Sequence, residues 1–272
     1  MENNQAKKYK LIKKQLDKVE KKENKVLSKK EIKFIKNKVS PIQEKIESKI
    51  PAKLQQTLEK AFETGFKVVF EKGVGLIEKT YKKESKLQDF DVKHYTIMNQ
   101  MNHKNINELD KGAAKTVRGN QFISTVEGSL LGALGIGIPD IPILIGMILK
   151  SIYEISLSYG FDYTTDREKL YILYLICAGV TKEDVQEDYN RKLERIAVGN
   201  RMVDTLPYSI DNGIKETSTR LAEAMLMAKF IQGLPIIGVV GGVSNFNIIK
   251  DITKMARIKY KKRYLEGLLH EK

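Results

Sequence analysis

The sequence predicts an all-α fold, a multi-helix bundle whose core contains two Gly-rich apolar helical hairpins. Long stretches rich in Lys, Glu, Leu and Ile repeat apolar residues at steps of three and four, the period of one helix face. Only 6 of the 272 residues are proline, so few positions break this pattern. Ser28, Ser40, Thr165 and Thr181 lie where side chains cap the first turn of a helix. We therefore expect about eight to ten helices and almost no strand.

The first 55 residues are predicted to form a basic amphipathic helical arm, ahead of an all-α domain over residues 56–272. Residues 1–60 hold 18 Lys and 8 acidic residues, while the rest of the chain is nearly balanced in charge. Ile12, Leu16 and Val19 recur at helical spacing, so one face of the arm is apolar and the rest is rich in lysine. Two interpretations are open: the apolar face packs on the body, or the helix lies on an anionic bilayer.

A second basic patch lies near the other end of the chain. Residues 250–272 hold eight Lys or Arg against three acidic residues. Cations suit the C-terminus of a helix, so this patch has a structural explanation as well. The side chains predicted to face a membrane or another anionic surface are Lys7, Lys8, Lys13, Lys14, Lys21, Lys22, Lys29, Lys30, Lys261, Lys262 and Arg263.

The apolar run Leu130–Leu149 is 20 residues long, enough to cross a bilayer as one helix. Three residues argue against a single membrane-spanning helix. Pro139 and Pro142 interrupt the helix, and insertion of the central Asp140 into a bilayer costs about 3 kcal/mol. We expect a helical hairpin, either buried in a packed core or inserted shallowly in a membrane. Phe230–Val243, again Gly-rich and apolar with one Pro, is predicted to form the second hairpin.

Local signals place the helix ends that follow the first hairpin. Gly160 suits the C-terminal end of the helix that starts near Pro142, and Thr165 starts a helix that ends near Gly179. This second helix carries the single cysteine, Cys177, within an apolar run. One cysteine excludes an internal disulfide, and the apolar surroundings predict a buried, unreactive thiol.

The sequence contains none of the common catalytic or cofactor motifs. It has no G-x-S-x-G nucleophile elbow, no P-loop and no dinucleotide-binding fingerprint. His94 and His103 are nine residues apart with no Cys or third His nearby, so they lack zinc-ligand spacing. We expect no metal, no cofactor and no activity that depends on these histidines or on Cys177.

Five polar residues are the candidates for a functional site. Asp140 lies among apolar residues, where it is either a helix N-cap or a functional carboxylate. Asn245, in the second Gly-rich block, approaches Asp140 if the two hairpins pack together. Tyr159, Asp162 and Glu168 follow near the far end of the same helix. A pocket is expected among these residues, although a hydrogen-bonded core network explains them equally well.

Two blocks of the sequence together resemble the EcsC family of bacterial proteins. The first spans Leu109–Gly179 and includes DIPILIGMILKSIYEISLSYGFD and DREKLYILYL; the second is Lys229–Leu265, with Gly-Gly-Val-Ser-Asn from Gly241. The resemblance covers roughly residues 55–267. The family takes its name from a gene beside an ABC-type transporter in Gram-positive bacteria, and its biochemical role is not established. The resemblance therefore implies a cytoplasmic or membrane-peripheral protein, and it implies no catalytic residues.

From these features we expect a membrane-surface accessory or interaction protein, cytoplasmic and peripheral at the inner face of the cell membrane. The N-terminus lacks the apolar segment of a signal peptide, which favours the cytoplasm. The expected partner is an anionic membrane surface, a membrane protein such as an ABC transporter, or both. The alternatives are a hydrolase-like enzyme with a site near Asp140, and a nucleic-acid-binding protein. The last ranks lowest because the arm holds few aromatic residues and no nucleic-acid-binding motif.

Overall fold

The computed structural model describes residues 2–27, 50–118, 140–198, 209–231 and 242–270. The α-helices are α1 (Glu2–Leu27), α2 (Ala52–Val68), α3 (Val74–Glu78), α4 (Lys83–Asn99), α5 (His103–Arg118), α6 (Asp140–Ser158), α7 (Asp166–Val180), α8 (Glu183–Val198), α9 (Ile210–Ile231) and α10 (Gly242–His270). A π-helical turn, Val69–Gly73, joins α2 to α3. With Ala52–Glu78 counted as one helix, these described ranges contain nine helices and no strand, which confirms the all-α bundle. Residues 130–139 of the first predicted Gly-rich run and 232–241 of the second, together with Ser28 and Ser40, lie outside the described residues.

Two largely buried helices, α6 and α7, form the centre of the bundle. α6 contacts α2, α4, α5 and α10, while α7 contacts α8, α9 and α10. Within the described part of the chain, only Ile141–Ser158 of α6 is long and apolar enough to cross a membrane by length and composition, and 78% of it is buried in the fold. Pro142 lies in the first turn of α6, where a missing backbone N–H leaves no helical hydrogen bond unmade. The apolar helix of the first predicted hairpin therefore packs against neighbouring helices.

The turn after α6 has the form that Gly160 predicts. Gly160 takes a left-handed backbone conformation with φ of +79°, and the Phe161 N–H donates to the Ser156 carbonyl at 3.0 Å. A Cβ atom at Gly160 would lie 2.3 Å from Cζ of Phe90, which belongs to α4. Both the backbone conformation and the close approach of α4 therefore require glycine at this position.

One of the two predicted caps that follow is confirmed and the other is wrong. The Thr165 hydroxyl accepts a hydrogen bond from the Glu168 N–H at 3.2 Å, as an N-cap of α7 should. Thr181, predicted to cap the next helix, instead donates its hydroxyl proton to the Cys177 carbonyl at 2.7 Å. Carbonyls in the last turn of a helix lack a hydrogen-bond partner within the helix. The Thr181 hydroxyl therefore supplies a donor at the C-terminal end of α7.

The first helix packs against the last. α1 contacts α10 and buries Ile12, Leu16 and Val19 in the same core as α6 and α7. Of the two interpretations of the arm, packing of the apolar face on the body holds for α1. Residues 28–49 lie outside the described ranges, so the division near residue 55 stays a prediction.

The cysteine and the two histidines that the sequence analysis set aside are all hydrogen-bonded. Cys177 is fully buried, with its Sγ 3.4 Å from the Thr217 hydroxyl of α9. His94 and His103 are half-buried. Nδ1 of His94 is 3.1 Å from the Tyr264 hydroxyl, and Nε2 of Gln15 is 2.8 Å from Nδ1 of His103. Both histidines therefore contribute to helix packing, and neither is a plain surface side chain.

Candidate functional site

The basic patch of α10 is the centre of an ionic network that reaches four other helices. Its carboxylates are Glu23 of α1, Asp110 of α5, Glu168 of α7 and Glu194 of α8, and its cations are Arg257, Lys259, Lys261, Lys262 and Arg263 of α10. Glu23, Glu168, Lys259 and Lys261 are buried and the rest of the network is half-buried. Charges removed from water in this way are stable only when they are paired.

Glu168 and Arg263 form the first part of the network. Arg263 donates from Nη1 and Nη2 to the two Glu168 oxygens, and the Tyr260 hydroxyl donates to Oε1 at 2.6 Å. The rings of Phe161 and Tyr171 each lie 4.2 Å from the guanidinium carbon, so aromatic faces enclose the cation. Burial, and then the adjacent carboxylate, raise the pKa of Tyr260 well above its ordinary value, so this hydroxyl stays a neutral donor. The Glu168 carboxylate therefore accepts three hydrogen bonds from α10.

Asp110 is the acceptor of the second part. The Tyr159 hydroxyl donates to its Oδ1 at 2.7 Å, and Nζ of Lys261 is 3.1 Å from Oδ2. Burial raises the pKa of Asp110, but Lys261, Tyr159 and Arg257 lower it by more, so it lies below its ordinary value. Burial lowers the pKa of Lys261, and Asp110 offsets only part of that effect. Contact at this distance keeps both partners charged near neutral pH.

The third part joins α1, α8 and α10. Lys259, only 2% exposed, is paired with Glu23 and Glu194. Nζ of Lys262 is 3.0 Å from Oε2 of Glu23 and 3.0 Å from Oε1 of Glu194. Burial lowers the pKa of Lys262, but the two carboxylates raise it by more, so it lies above its ordinary value. The Glu23 side chain thereby fastens the end of α1 to the body of the protein.

Three of the residues predicted to face an anionic surface do not do so. Lys261, Lys262 and Arg263 belong to this network and are held by Asp110, Glu194 and Glu168, among others. The prediction was wrong because the sequence shows only the run of cations, which looks like a solvent-exposed helix face. The carboxylates that pair with these cations lie on helices that are distant in the sequence. The cationic patch of α10 therefore holds the helices of the bundle together.

The structure separates the five polar candidates. Glu168 is hydrogen-bonded directly to α10, whereas Tyr159 is linked to α10 only through Asp110. Asp162 is exposed and accepts hydrogen bonds from the backbone and hydroxyl of Thr164 at 3.0 and 2.6 Å. The side chains of Asp140 and Asn245 lie outside the described residues, so their proposed approach stays a prediction.

Four members of the network were not predicted as site residues, namely Glu23, Asp110, Glu194 and Tyr260. One signal was available for Glu23, which follows Val19 by four positions and so continues the apolar face of α1. A carboxylate on an apolar helix face indicates a buried cationic partner. Asp110 offered the same signal, because it follows the buried Ile106 by four positions. Glu194 carries no comparable signal, because it lies among other charged residues on a half-exposed helix.

The opposite face of α1 is a second candidate site, which we call the lysine face. It consists of six exposed lysines at steps of three or four positions, namely Lys7, Lys10, Lys14, Lys18, Lys21 and Lys25. None of the six forms an ion pair with a residue in the described ranges. At 1.5 Å per residue the row is about 27 Å long. This face can hold a polyanion or an anionic surface by charge alone.

Five other lysines near the N-terminus were predicted to face an anion, namely Lys8, Lys13, Lys22, Lys29 and Lys30. Lys13 and Lys22 are exposed beside the row, and Nζ of Lys13 also lies 5.5 Å from the ring centre of Tyr9. Lys8 is half-buried, and its ammonium donates to the Met98 carbonyl at 3.0 Å. Lys29 and Lys30 lie outside the described residues. Among the residues that the structure describes, no group of three or more His, Cys, Asp or Glu side chains could hold a metal ion.

Comparison with known proteins places the chain in a family. The model of the EcsC protein family matches residues 13–265. The chain belongs to the EcsC protein family. The match begins within α1, whereas the resemblance in the sequence was expected to begin near residue 55. The matched residues include the whole ionic network of α10.

Two proteins from Bacillus subtilis (strain 168) are similar to this chain. The chain is 26% identical to Protein EcsC over 164 residues, which are 59% of this chain and 66% of that protein. It is 28% identical to the uncharacterized protein YdbA over 163 residues, which are 54% of this chain and 55% of that protein. The chain therefore spans about two thirds of the length of Protein EcsC and about half of the length of YdbA. No solved structure matches this EcsC-family chain.

Proposed function

We propose that this EcsC-family protein is a membrane-surface accessory protein that binds anionic lipid headgroups through the lysine face of α1. The observation that carries the proposal is the row of six exposed lysines on α1, whose apolar face is buried against α10. The protein attaches peripherally, at the cytoplasmic face of the cell membrane, where anionic lipids give the surface a negative potential.

The lysine face supplies enough charge for reversible attachment. A lysine near an anionic leaflet contributes about 1 kcal/mol, so engagement of even three or four of the six gives a useful affinity. Packing on α10 holds the six in a fixed row, so little conformational entropy is lost when the helix meets the surface. Because Ile12, Leu16 and Val19 are buried in the fold, attachment of the docked helix is electrostatic and superficial. We therefore expect release at high ionic strength, where the Debye length falls to a few ångströms.

Cosedimentation with lipid vesicles tests the proposal. The full chain should sediment with vesicles that contain phosphatidylglycerol and remain in the supernatant with pure phosphatidylcholine. Salt on the order of 0.5 M should release it. Salt-resistant attachment that only detergent reverses would show that an apolar segment inserts, and the peripheral proposal would then be wrong.

A matched pair of variants separates the lysine face from overall charge. The first replaces the six lysines of the face by glutamine (K7Q, K10Q, K14Q, K18Q, K21Q, K25Q), and the second replaces six exposed lysines elsewhere (K53Q, K60Q, K72Q, K79Q, K250Q, K254Q). The two proteins have the same net charge. The first should bind the anionic vesicles roughly a hundredfold less tightly, and the second should lose much less. Equal losses would contradict a dedicated lysine face.

A further inference from the structure

A cleft of about 390 Å³ opens where the N-terminal part of α1 meets the turn between α4 and α5. Lys7 and Lys8 line it from α1, Asn99 lines it from the end of α4, Asn102 from the turn and His103 from the start of α5. None of the described residues that line it is Asp or Glu. The cleft therefore combines two cations with amide and imidazole groups, and no lining carboxylate repels an anion.

The hydrogen bonds around the cleft leave donors available. The Lys8 ammonium uses one of its three protons on the Met98 carbonyl, which holds the charge beside the turn. Nε2 of Gln15 donates to Nδ1 of His103 at 2.8 Å. An amide nitrogen can only donate, so Nδ1 is the acceptor and the neutral imidazole carries its proton on Nε2. His103 thus offers an N–H donor from the other side of its ring.

We propose that this cleft binds a terminal phosphate group, either that of inorganic phosphate or a soluble phosphomonoester, or that of the phosphatidic acid headgroup. A phosphomonoester carries about −1.5 to −2 charges at neutral pH and three acceptor oxygens, which match two ammonium groups and a set of N–H donors. The positive end of the α5 dipole, which begins at His103, adds to the same attraction. Lys7 belongs both to the cleft and to the lysine face, so the two sites adjoin. The lipid source rests on the proposed function, whereas binding of free phosphate does not.

Titration of the full chain with inorganic phosphate tests the chemistry in solution. Amide and imidazole NMR signals of residues 7, 8 and 99–103 should move, while chloride at equal ionic strength should leave them in place. K7Q/K8Q should weaken phosphate binding roughly tenfold or more, and K53Q/K60Q, which replaces two exposed lysines of α2 outside both the cleft and the lysine face, should not change it. K7Q alone, which keeps the hydrogen bond from Lys8 to Met98, should give a smaller loss and guards against misfolding of the double variant.

Vesicles distinguish the two sources of the phosphate group. At equal surface charge, tighter attachment to phosphatidic acid than to phosphatidylglycerol, with the difference removed by K7Q/K8Q, assigns the cleft to a lipid headgroup. Equal attachment to both lipids, together with phosphate binding in solution, assigns it to a free phosphomonoester. NMR shifts from phosphate no larger than those from chloride, or a loss of phosphate binding in K53Q/K60Q equal to that in K7Q/K8Q, would overturn the proposal. Phosphate binding without any vesicle attachment refutes only the proposed function, and vesicle attachment without phosphate shifts refutes only the cleft.

Discussion

The guanidinium of Arg263 on α10 forms two parallel hydrogen bonds with the carboxylate of Glu168 on α7, at 2.8 and 3.0 Å. The two side chains are only 13% and 6% exposed, so each has lost most of its hydration and depends on the other. The Tyr260 hydroxyl adds a third bond to the same carboxylate. This pair joins the last helix of the chain to one of its most buried helices.

Removal of one partner of this pair should be costly. E168Q leaves the buried guanidinium without its counterion, and we expect a loss of roughly 3 kcal/mol or more in the free energy of unfolding. The double variant E168L/R263M, which removes both charges, should lose less than the sum of the two single changes. Urea unfolding followed by circular dichroism measures these differences. D166N breaks a pair whose carboxylate is 79% exposed and should cost less than about 1 kcal/mol.

Two glycines should respond in opposite ways to alanine. G160A places a Cβ atom 2.3 Å from the Phe90 ring at a φ of +79°, and it should destabilise the protein by about 2 kcal/mol or more. G267A adds a Cβ in α10 where no neighbouring atom lies within 4 Å, so it should be neutral or stabilise by up to about 1 kcal/mol. Thermal unfolding compares the two variants directly. A stable G160A protein would mean that α4 does not pack on this turn.

Stability should fall in acid because of Asp110 and Glu194. Burial raises the pKa of each carboxyl, but Lys261, Tyr159 and Arg257 together lower that of Asp110 by more, and Lys259 and Lys262 together lower that of Glu194 by more. A carboxyl with a lowered native pKa stabilises the fold fully above its unfolded pKa, and this contribution is lost as pH falls through the native value. We therefore expect the free energy of unfolding to decrease below about pH 4, measured by urea unfolding between pH 3 and 7.

Variants of the same network test the assignment of this acid sensitivity. D110N and E194Q should each be less stable at neutral pH but should show a flatter decline in acid, because the titrating group is gone. Glu266 affects the pH dependence of stability in the opposite direction, because burial raises its pKa. Its contribution favours the folded protein at low pH and is lost as pH rises through the raised pKa. E266Q should therefore make the acid decline steeper. An unchanged pH profile in all three variants would place the sensitivity elsewhere.

The thiol of Cys177 should be inert in the folded protein. It is fully buried, and burial raises its pKa to about 12, so almost no thiolate exists near neutral pH. A disulfide reagent should modify it at a rate limited by unfolding, and at once in denaturant. In V198C/C177A, the introduced thiol replaces a side chain that is 79% exposed and should react quickly without denaturant. Fast reaction of native Cys177 would contradict its burial.

Local sequence signals determined the helices and several of their ends. Thr165 and Gly160 were assigned from spacing alone, and both occupy the caps expected of them. This is possible because a cap joins atoms within a few residues of each other, so its partners are adjacent in the sequence. The apolar face of α1 was equally visible, since Ile12, Leu16 and Val19 repeat at the helical period. Thr181 shows the limit of such signals, because its hydroxyl could serve either of two neighbouring helix ends.

The orientation of the basic residues was decided only by the tertiary structure. By composition the lysines of α1 and those of α10 are equivalent, yet one set faces outward and Lys259, Lys261, Lys262 and Arg263 face the core. Glu168 is 95 positions away from Arg263, and Glu23 is 239 positions away from Lys262. A buried cation is stable only beside its counterion, and these counterions become neighbours only when α1, α7 and α10 pack together.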